Sequence, residues 1–565
     1  MDSAKNIKFY DFRYLNYSFL GMKIAFIIIV MIYTTCYFRH CLYAGIINML
    51  LLFSSCSLLD QSIQVEDNGL NPIIGAACQE TPVPTTITPT KIYYVSTSGN
   101  DQNTGLSPSQ AWKTPHHAAQ TVTQPGSLIA LKRGDIFIET QALRIFRSGT
   151  QESPIIWDGN YWGDGEKAVL RAAADRTAPN LAIVNISGAS HVIFQNTTID
   201  GSGYNVFGLV VGGTDSYYSP DAIQSMENNI IVQNNHILNC GDQNDDYVIA
   251  ALIQTWNTDM SDIHFINNHV DGASNHGITA YCGRAVHGAT PSTLTDLYIG
   301  HNYVTNFGVN GQDRATGISM SQSVHNAVVE CNRVQQGDRG NQTAMGLAGN
   351  EDGTPQNAHI RYNEVHMKNY PAFSIQNGYA PSAKVYGNFF YTENANSKAV
   401  IWLMIAGNGY SHNGSKASFQ FFHNTLMAGQ GNVYMDDTTT PGVNTFKNNL
   451  LINLGTQTNG DSCMVVNLGT STNHSNNACF RPTTGNVLYA IDADSGYIYR
   501  DNIHSWEPSM VIENPDIVDI DQFDMNLNPT SPLIGMGAIV DIQRDINGTL
   551  FNNPPSIGAY EYPTQ

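Results

Sequence analysis

Two loops of this sequence pair an aspartate with an arginine at matching places. The stretches GQDRATG and QGDRGNQTAMG each carry Asp-Arg shortly before an apolar run, at Asp313 and Arg314 and at Asp338 and Arg339. The planar guanidinium group binds carboxylate or sulfate through two parallel hydrogen bonds, whereas lysine acts as a point charge. These residue types therefore indicate recognition of an acidic group. The alternative is a pair of local surface ion pairs, which contribute little energy.

The corresponding loops of the two preceding repeats carry further acids and a histidine. GDQNDDY contains Asp245 and Asp246, and DGASNHG contains Asp271 and His276. No lysine or arginine occurs between residues 177 and 283, and the bases that follow directly are all arginines. If the repeats stack in register, one flank of the molecule displays these acids, the histidine and the arginines together.

The first chemistry that this set favours is β-elimination from a uronate-containing polysaccharide. A base must remove the proton α to the carboxylate, and cations must neutralise the charge that develops there. Arg314 or Arg339 would neutralise that charge, and His276 is the candidate base. Asp245 and Asp246 would supply hard oxygen ligands for a Ca²⁺ cofactor.

The second chemistry is glycoside hydrolysis. It needs two carboxyl groups that flank the glycosidic bond at about 5 to 10 Å from each other. Asp271 with Asp245 or Asp246 would meet that need. A non-catalytic protein that binds carbohydrate or mediates adhesion is the alternative from a different class, because it needs no convergent groups.

Further side chains are candidates for contact with the sugar. Aromatic rings stack on the apolar faces of sugar rings, and charged groups bind their polar substituents. The candidate substrate-binding residues are Asp313, Asp338, Arg284, Trp256 and Tyr281. Plain packing is the alternative for the two aromatic residues, and a turn role is the alternative for the arginine.

A repeated phrase defines the elements that must position these residues. A short apolar run ends in asparagine in IIVQNNHI, DIHFINNHV, LYIGHNYV, AVVECNRV and four later copies. The spacing varies from 25 residues (Asn363 to Asn388) to 36 residues (Asn388 to Asn424), which suits coils that accept loop insertions. The repeated asparagines are Asn235, Asn268, Asn302, Asn332, Asn363, Asn388, Asn424 and Asn449.

Each repeat reads as a strand, a sharp asparagine turn, a short strand, a variable loop and another strand. Asparagine tolerates the left-handed backbone conformation of a sharp turn, and its amide can bond to the asparagine one coil above. Such a ladder satisfies side chains that are otherwise buried without partners. The sequence therefore predicts an all-β fold, a single-stranded right-handed parallel β-helix with N- and C-terminal caps, because open strand edges must be covered.

The N-terminal region reads as a targeting segment followed by a tether. The stretches IAFIIIVMIY and LYAGIINMLLLF are too short to span a membrane, and the second runs into small residues before Cys56, as at a lipidation site. A cleaved secretory signal and an uncleaved anchor are the alternatives. We expect a signal in residues 1–56, a flexible linker in 57–90, a cap with the first strands in 91–180, coils in 181–480 and a closing coil and cap in 481–565.

Composition narrows the partners. The chain has 565 residues, of which 13% are charged, with 47 acids against 27 bases and a net charge of −20. A strongly acidic chain does not bind nucleic acid through indiscriminate phosphate contacts. Nothing in the sequence signals an oligomer, so we expect a monomer. We expect contact with a membrane only through the lipid anchor, at the bacterial cell envelope, as an outer-membrane lipoprotein or a secreted or periplasmic protein.

The two ends of the folded part carry the family resemblance. KIYYVSTSGNDQNTGLSPSQAWKTPHHA and SPLIGMGAIVDIQRDINGTLFNNPPSIGAYEY, together with the coils, resemble bacterial carbohydrate-active β-helix proteins of the pectate-lyase-like superfamily over about residues 91 to 562. The resemblance implies the β-helix fold and a polysaccharide ligand. It implies no subfamily, because the calcium and catalytic-lysine motifs of β-helix pectate lyases are not recognisable here, and this fold carries many activities.

Overall fold

The computed structural model describes most of the chain from residue 87 onward, and residues 72–565 form one compact unit. The described residues are 77, 87–174, 181–213, 227–242, 244, 247–282, 292–309, 315–336, 342–349, 353–376, 382–403, 418–436, 443–456, 461–466, 471–483, 485–492 and 495–563. Within these ranges, no helix is both long enough and apolar enough to cross a membrane.

Short strands dominate the described chain. The N-terminal part contains β1 (Lys91–Val95), β2 (Ser127–Lys132), β3 (Ile136–Glu139), β4 (Leu143–Ile145), β5 (Ile155–Trp162), β6 (Val169–Ala172), β7 (Leu181–Ile186), β8 (Val192–Gln195), β9 (Thr198–Asp200) and β10 (Val206–Val211). The next coils contain β11 (Asn228–Gln233), β12 (His236–Cys240), β13 (Ala251–Thr255), β14 (Met260–Ile266), β15 (His269–Ala273), β16 (Ile278–Cys282), β17 (Leu294–Gly300), β18 (Tyr303–Phe307) and β19 (Ala315–Ser321).

The later coils follow the same order. They contain β20 (Val324–His325), β21 (Val328–Glu330), β22 (Arg333–Gln336), β23 (Gln342–Ala348), β24 (Ala358–Arg361), β25 (Glu364–Asn369), β26 (Phe373–Gln376), β27 (Ser382–Tyr386), β28 (Phe389–Leu403), β29 (Ser418–Phe422), β30 (Thr425–Asp436), β31 (Val443–Lys447), β32 (Leu450–Asn453), β33 (Met464–Val466), β34 (Ser471–Ser475), β35 (Ala478–Phe480), β36 (Leu488–Asp492), β37 (Gly496–Tyr499), β38 (Ile517–Asp519) and β39 (Asp524–Leu527). The helices are α1 (Pro115–Thr121), α2 (Ile503–Trp506) and 3-10 turns at Pro108–Gln110 and Arg500–Asn502.

The strands form three parallel ladders along the solenoid. The first sheet runs from β1 and β2 through β5, β8, β11, β14 and β17 to β34. The second sheet begins with β3, β6, β9, β12, β15 and β18, and the third begins with β4, β7, β10, β13, β16 and β19. Aliphatic side chains from all three ladders fill the interior. The predicted all-β parallel β-helix is confirmed.

The asparagine ladder predicted from the repeat lies at the turn between the first and second sheets. Each amide nitrogen donates to the next asparagine's Oδ1, as from Asn235 to Asn268 at 3.0 Å and from Asn424 to Asn449 at 2.9 Å. The ladder continues to Asn477, whose backbone N donates to Glu507 at the start of the C-terminal cap. The left-handed residue of each turn is the one before the ladder asparagine, such as Asn234 with φ 58°.

Both ends of the coil stack are covered. At the N-terminal end, α1 buries Pro115, Ala118 and Ala119, and the hydroxyl of Thr114 caps the helix by accepting from the backbone N of His117 at 3.2 Å. Near the other end, Cys463, which directly precedes β33 of the third sheet, forms a disulfide with Cys479 in β35 of the second sheet.

Candidate functional site

Most of the charged residues singled out in the sequence lie outside the described residues. This holds for the two Asp-Arg loops, the acidic loop and the arginine of YCGRAVHG: Asp245, Asp246, Arg284, Asp313, Arg314, Asp338 and Arg339. Cys56, the predicted lipidation site, also lies outside them. Their roles in catalysis, in Ca²⁺ binding, in substrate binding and in anchoring therefore stay predictions. Asp271, His276, Trp256 and Tyr281 are described.

His276 lies in the wall between the second and third sheets. Its ring is buried; the backbone N of Thr316 donates to Nδ1 at 3.0 Å, and Nε2 lies 3.2 Å from the hydroxyl of Tyr247. Burial lowers the pKa of His276 to about 4, so the imidazole is neutral near pH 7. Its role as a catalytic base stays a prediction, and the hydrogen bonding of the ring favours a structural role.

The two aromatic candidates pack inside the molecule. Trp256 is 1% exposed and Tyr281 is 3% exposed, and their ring centroids lie 6.0 Å apart. The indole nitrogen of Trp256 donates to the side chain of Gln254 at 2.9 Å. Neither ring offers a face to a sugar in this structure, so stacking on substrate stays a prediction for both.

Asp271 lies in an open polar cleft on the outer face of the second sheet. The cleft has a volume of about 780 Å³ and crosses four successive coils, those of β9, β12, β15 and β18. Its lining residues are Asp200, Ser202, Gly203, Asn239, Gly241, Asp242, Asp271, Gly272, Asn306 and Val309. We call this feature the carboxylate cleft. Apart from one aliphatic side chain, the lining offers only carboxylates, amides, a hydroxyl and backbone.

A column of left-handed residues shapes the carboxylate cleft. Asn239, Gly272 and Asn306 occupy matching register positions on β12, β15 and β18, with φ values of 54°, 91° and 53°. Asparagine and glycine are the residues that adopt this conformation at the least cost. A Cβ atom on Gly272 would lie 3.3 Å from the backbone N of Asn239. Because Gly272 has no side chain, the space between the side-chain amides of Asn239 and Asn306 stays open.

Hydrogen bonds orient the carboxylates of the cleft. Arg171 Nε donates to Asp200 Oδ2 at 2.8 Å, and the backbone N of Ser202 donates to Asp200 Oδ1 at 2.8 Å. Asp271 Oδ1 accepts from Asn306 Nδ2 at 2.7 Å. Asp200 on β9 and Asp271 on β15 are both in register with Leu238 on β12, the strand between them. Their side chains therefore lie on the same face, and their Cα atoms are about 10 Å apart. Asp242 is exposed at the cleft.

A row of rings lies beside Asp271 on the same sheet. His236, His269 and Tyr303 are in register, with ring centroids 4.5 Å and 4.9 Å apart. Burial, which outweighs the nearby carboxylate of Asp271, lowers the pKa of both imidazoles, that of His269 to about 4. Both rings are therefore neutral near pH 7.

A second cavity, of about 490 Å³, lies on the outer face of the first sheet. Its polar groups bind one another: Arg361 donates to Glu330 Oε2 at 2.5 Å and to the hydroxyl of Tyr386 at 2.9 Å, and Tyr298 donates to Glu330 Oε1 at 3.0 Å. Burial raises the pKa of Tyr386. Because these groups already satisfy one another, the cavity is a weaker candidate than the carboxylate cleft.

The sequence contained a signal for His236 and His269, which were missed, beside Asp271, which was predicted. The first and third positions after each ladder asparagine point outward from the second sheet, because side chains alternate along a strand. Those positions hold His236 after Asn235, and His269 and Asp271 after Asn268. The repeat NNH in two successive coils therefore marks stacked imidazoles, whereas Asp200 follows no ladder asparagine and carried no such mark.

The chain matches no protein-family model and no curated protein by sequence. Among solved structures, it is similar to the GH136 lacto-N-biosidase from Eubacterium ramulus, with 16% identity, 68% of each chain covered and a TM-score of 0.45. It is also similar to XylC in complex with xylose (10% identity, 77% of this chain and 88% of that chain, TM-score 0.44) and to pectate lyase Pel9A (15%, 84% and 98%, 0.37). These similarities concern the fold.

Proposed function

We propose that the protein is an extracytoplasmic enzyme that degrades a polysaccharide, with the sugar chain bound in the carboxylate cleft. The observation that carries the proposal is the cleft itself, which presents three aspartates and two asparagines over four coils. Its volume of about 780 Å³ lies within the roughly 300–1,000 Å³ range of ligand sites. Carboxylate and amide groups accept and donate the hydrogen bonds that sugar hydroxyls need.

Hydrolysis is the reaction that the described part of the cleft supports best. Asp200 and Asp271 face the cleft from β9 and β15, which are separated by one strand. In inverting glycosidases the two catalytic carboxyl groups are about 6.5–9.5 Å apart, with a water molecule between them. Asp242 supplies a third carboxylate at the cleft. Within the described residues, three carboxylates stand at the cleft and the arginine beside them, Arg171, is paired with Asp200, which favours a neutral sugar over a polyanion.

β-Elimination from a uronate polymer, the reaction that the sequence favoured, depends on Arg314, Arg339 and the Ca²⁺ ligands of the acidic loop. Val309 lines the cleft, and the loop with Arg314 begins next to it in the chain. An arginine from that loop would supply the positive charge that elimination requires. Elimination is therefore the second candidate reaction for the same cleft.

The disulfide and the N-terminal sequence support an extracytoplasmic location. Disulfides such as Cys463–Cys479 persist in oxidising compartments and are rare in the cytosol. The small residues before Cys56 fit a lipoprotein signal. We propose that the mature protein begins at Cys56 and is held at the bacterial cell envelope by its lipid.

The experiment that tests the proposed function measures two products in parallel. Protein lacking residues 1–60 is incubated, with and without Ca²⁺, with neutral polysaccharides and with alginate, pectate, ulvan and glycosaminoglycans. New reducing ends without unsaturated product indicate hydrolysis, and the ultraviolet absorbance of unsaturated sugars indicates elimination. We expect hydrolysis of a neutral polysaccharide.

Variants then locate the reaction. Asp200→Asn or Asp242→Asn should lower kcat by about 100-fold or more if the side chain acts on the bond. Asp296→Asn, an exposed aspartate on the first sheet, is the matched control and should leave kcat unchanged. Elimination abolished by Arg314→Ala or Arg339→Ala would replace hydrolysis by the second candidate. Binding of a glycan without any cleavage over the whole panel would contradict both and favour an adhesion protein.

A further inference from the structure

Two half-buried imidazoles and a carboxylate meet beside the carboxylate cleft. One ring nitrogen each from His236 and His269 and one carboxylate oxygen of Asp271 all lie within 4.8 Å of one another. His269 and Asp271 are two residues apart on β15, so they share its outer face, and His236 is the register partner of His269 on β12. The parallel strands thus bring three ligand groups from two coils to one point.

Both imidazoles carry a nitrogen that the surrounding protein leaves unsatisfied. Nε2 of His236 and Nε2 of His269 are buried and have no hydrogen-bond partner within the described part of the chain. A buried polar atom without a partner destabilises the folded state, because it has lost its hydrogen bonds to water. A metal ion can satisfy an imidazole nitrogen in place of a hydrogen bond. Two unsatisfied imidazole nitrogens in adjacent coils are therefore expected of a metal site that holds no ion.

The third group is already oriented by a neighbour. Asn306 Nδ2 donates to Asp271 Oδ1 at 2.7 Å, which fixes the carboxylate and leaves Oδ2 for another interaction. Metal-binding carboxylates and histidines are commonly held by such outer hydrogen bonds. The same asparagine lies in the left-handed column that shapes the cleft, so the position of the carboxylate follows from the backbone.

We propose that His236, His269 and Asp271 form a binding site for a divalent transition-metal ion, with Zn²⁺ as the first candidate. Two imidazoles and one carboxylate suit Zn²⁺ and related ions rather than Ca²⁺, which takes oxygen ligands. Three protein ligands leave at least one coordination position for water or a sugar hydroxyl. The three ligands of this site differ from the Ca²⁺ ligands predicted at Asp245 and Asp246.

Binding requires a small movement of the two rings. The imidazoles are stacked with an interplanar angle of 2°, and ligand atoms of a tetrahedral Zn²⁺ site, at about 2.1 Å from the metal, lie about 3.4 Å from one another. The rings must therefore approach each other and tilt out of parallel. A metal bound to Asp271 would take that carboxylate from the Asp200–Asp271 pair proposed for hydrolysis, so hydrolysis by the metal-bound protein would use Asp200 and Asp242. The metal proposal itself does not depend on hydrolysis.

The test measures metal binding and stability rather than activity. Protein without a histidine tag, stripped with a chelator, is dialysed against Zn²⁺, and the bound metal is counted by mass spectrometry. We expect one Zn²⁺ per chain and a rise in Tm with Zn²⁺ concentration, because the ion binds only the folded state. Binding of Co²⁺ should give visible absorption bands that report its coordination geometry.

The key variant keeps the ring and removes the ligand. His269→Phe preserves an aromatic ring between His236 and Tyr303, and Asp271→Asn preserves the shape of the carboxylate. Both should weaken Zn²⁺ binding by about 100-fold or more. His264→Phe is the matched control, because His264 also lies 2.8 Å from an aspartate, Asp262, but on the first sheet.

Three results would overturn the proposal. The first is a chain that binds no Zn²⁺ at millimolar concentration, and the second is a variant pair, His269→Phe and Asp271→Asn, that binds as the wild type does. The third is a loss of binding in His264→Phe as large as in His269→Phe. Asp271→Asn keeps the test decisive if His269→Phe fails to fold. In each of these cases the row of rings serves only to pack the coils.

Discussion

At the scale of single residues, His276 illustrates how a hydrogen bond assigns a tautomer. The backbone N of Thr316 can only donate, so Nδ1 of His276 must accept and the proton lies on Nε2, which faces the hydroxyl of Tyr247. A protonated ring would lose the bond from Thr316. Burial acts in the same direction and lowers the pKa of His276 to about 4.

We therefore predict a pH-dependent contribution of His276 to stability. The unfolded chain takes up a proton at this residue near pH 6.5, whereas the folded chain does so only near pH 4. Protonation thus favours the unfolded state, and the contribution is complete above about pH 6.5, is lost as the pH falls toward 4 and amounts to about 3 kcal/mol at most. The free energy of unfolding, measured with denaturant from pH 7 to pH 4, should decrease less for His276→Gln than for the wild type.

The matched control for this prediction is His504→Gln, because His504 is exposed at the C-terminal cap. The free energy of unfolding of His504→Gln should decrease between pH 7 and pH 4 by as much as that of the wild type. An unchanged pH dependence in His276→Gln would mean that the ring is reached by water in solution. A loss of activity in His276→Gln would support the role of catalytic base predicted from the sequence, and it is measured separately from the stability profile.

Sequence alone identified Asp271 but not the residues around it. Its neighbours in the carboxylate cleft, Asp200 and Asp242, come from other coils, and which outward positions share a cleft depends on the register and on the left-handed column. The Asp-Arg loops were predicted to contribute to the site from their residue types alone. Loop conformation is set by insertions whose length and sequence differ in every coil, so no repeat pattern predicts it.

At the scale of elements, the asparagine ladder is the feature that the sequence predicted best. Asn332 accepts from both the backbone N and the side-chain nitrogen of Asn302 at 3.0 Å, and its own amide donates to Ile299 O and to Asn363. The periodic asparagine revealed the turn and its partner. From the sequence, the left-handed conformation was expected at the ladder asparagine, but it occurs at the residue before it. The ladder side chain must point inward, so the preceding residue adopts the positive φ of the turn.

We predict that Asn332→Ala destabilises the protein by about 3 kcal/mol or more. The change removes the acceptor of the buried backbone N of Asn302, one of the two acceptors of Asn302 Nδ2, and the amide that donates to Ile299 O. Each buried group left without a partner costs about 1–3 kcal/mol. Urea unfolding followed by circular dichroism measures the difference. Gln335→Ala, at an exposed position of the adjoining strand β22, should change stability by less than about 0.5 kcal/mol. Equal effects of the two substitutions would show that the ladder contributes little.

At the scale of the whole molecule, one column of outward positions has two different uses. The position after each ladder asparagine holds His236 and His269 in the early coils, and Phe389 and Leu450, both 1% exposed, in the later ones. The later coils are covered by the C-terminal segment, residues 517–563, which packs along them and contributes Leu533, Ile546, Ile557, Ala559 and Tyr560 to a second apolar cluster. The early coils, which carry the cleft, lie outside that cluster.

This division predicts that damage to the C-terminal segment stays local. Ile557 is fully buried in the second cluster, and Ile557→Ala should cost about 3 kcal/mol through lost burial and a residual cavity. In a solenoid each coil contacts only its neighbours, so hydrogen exchange should accelerate in β25 to β35 and stay unchanged in β8 to β16.

Ile539→Ala is the matched control for that change, because Ile539 belongs to the same segment but is 74% exposed. It should leave exchange unchanged throughout the chain. Faster exchange in β8 to β16 of the Ile557 variant would show that the coils unfold as one cooperative unit and would contradict a separable C-terminal cover. Exchange confined to β25 to β35 would instead mean that the carboxylate cleft keeps its geometry when the cover is loosened, and glycan or Zn²⁺ binding by the same variant would then be retained.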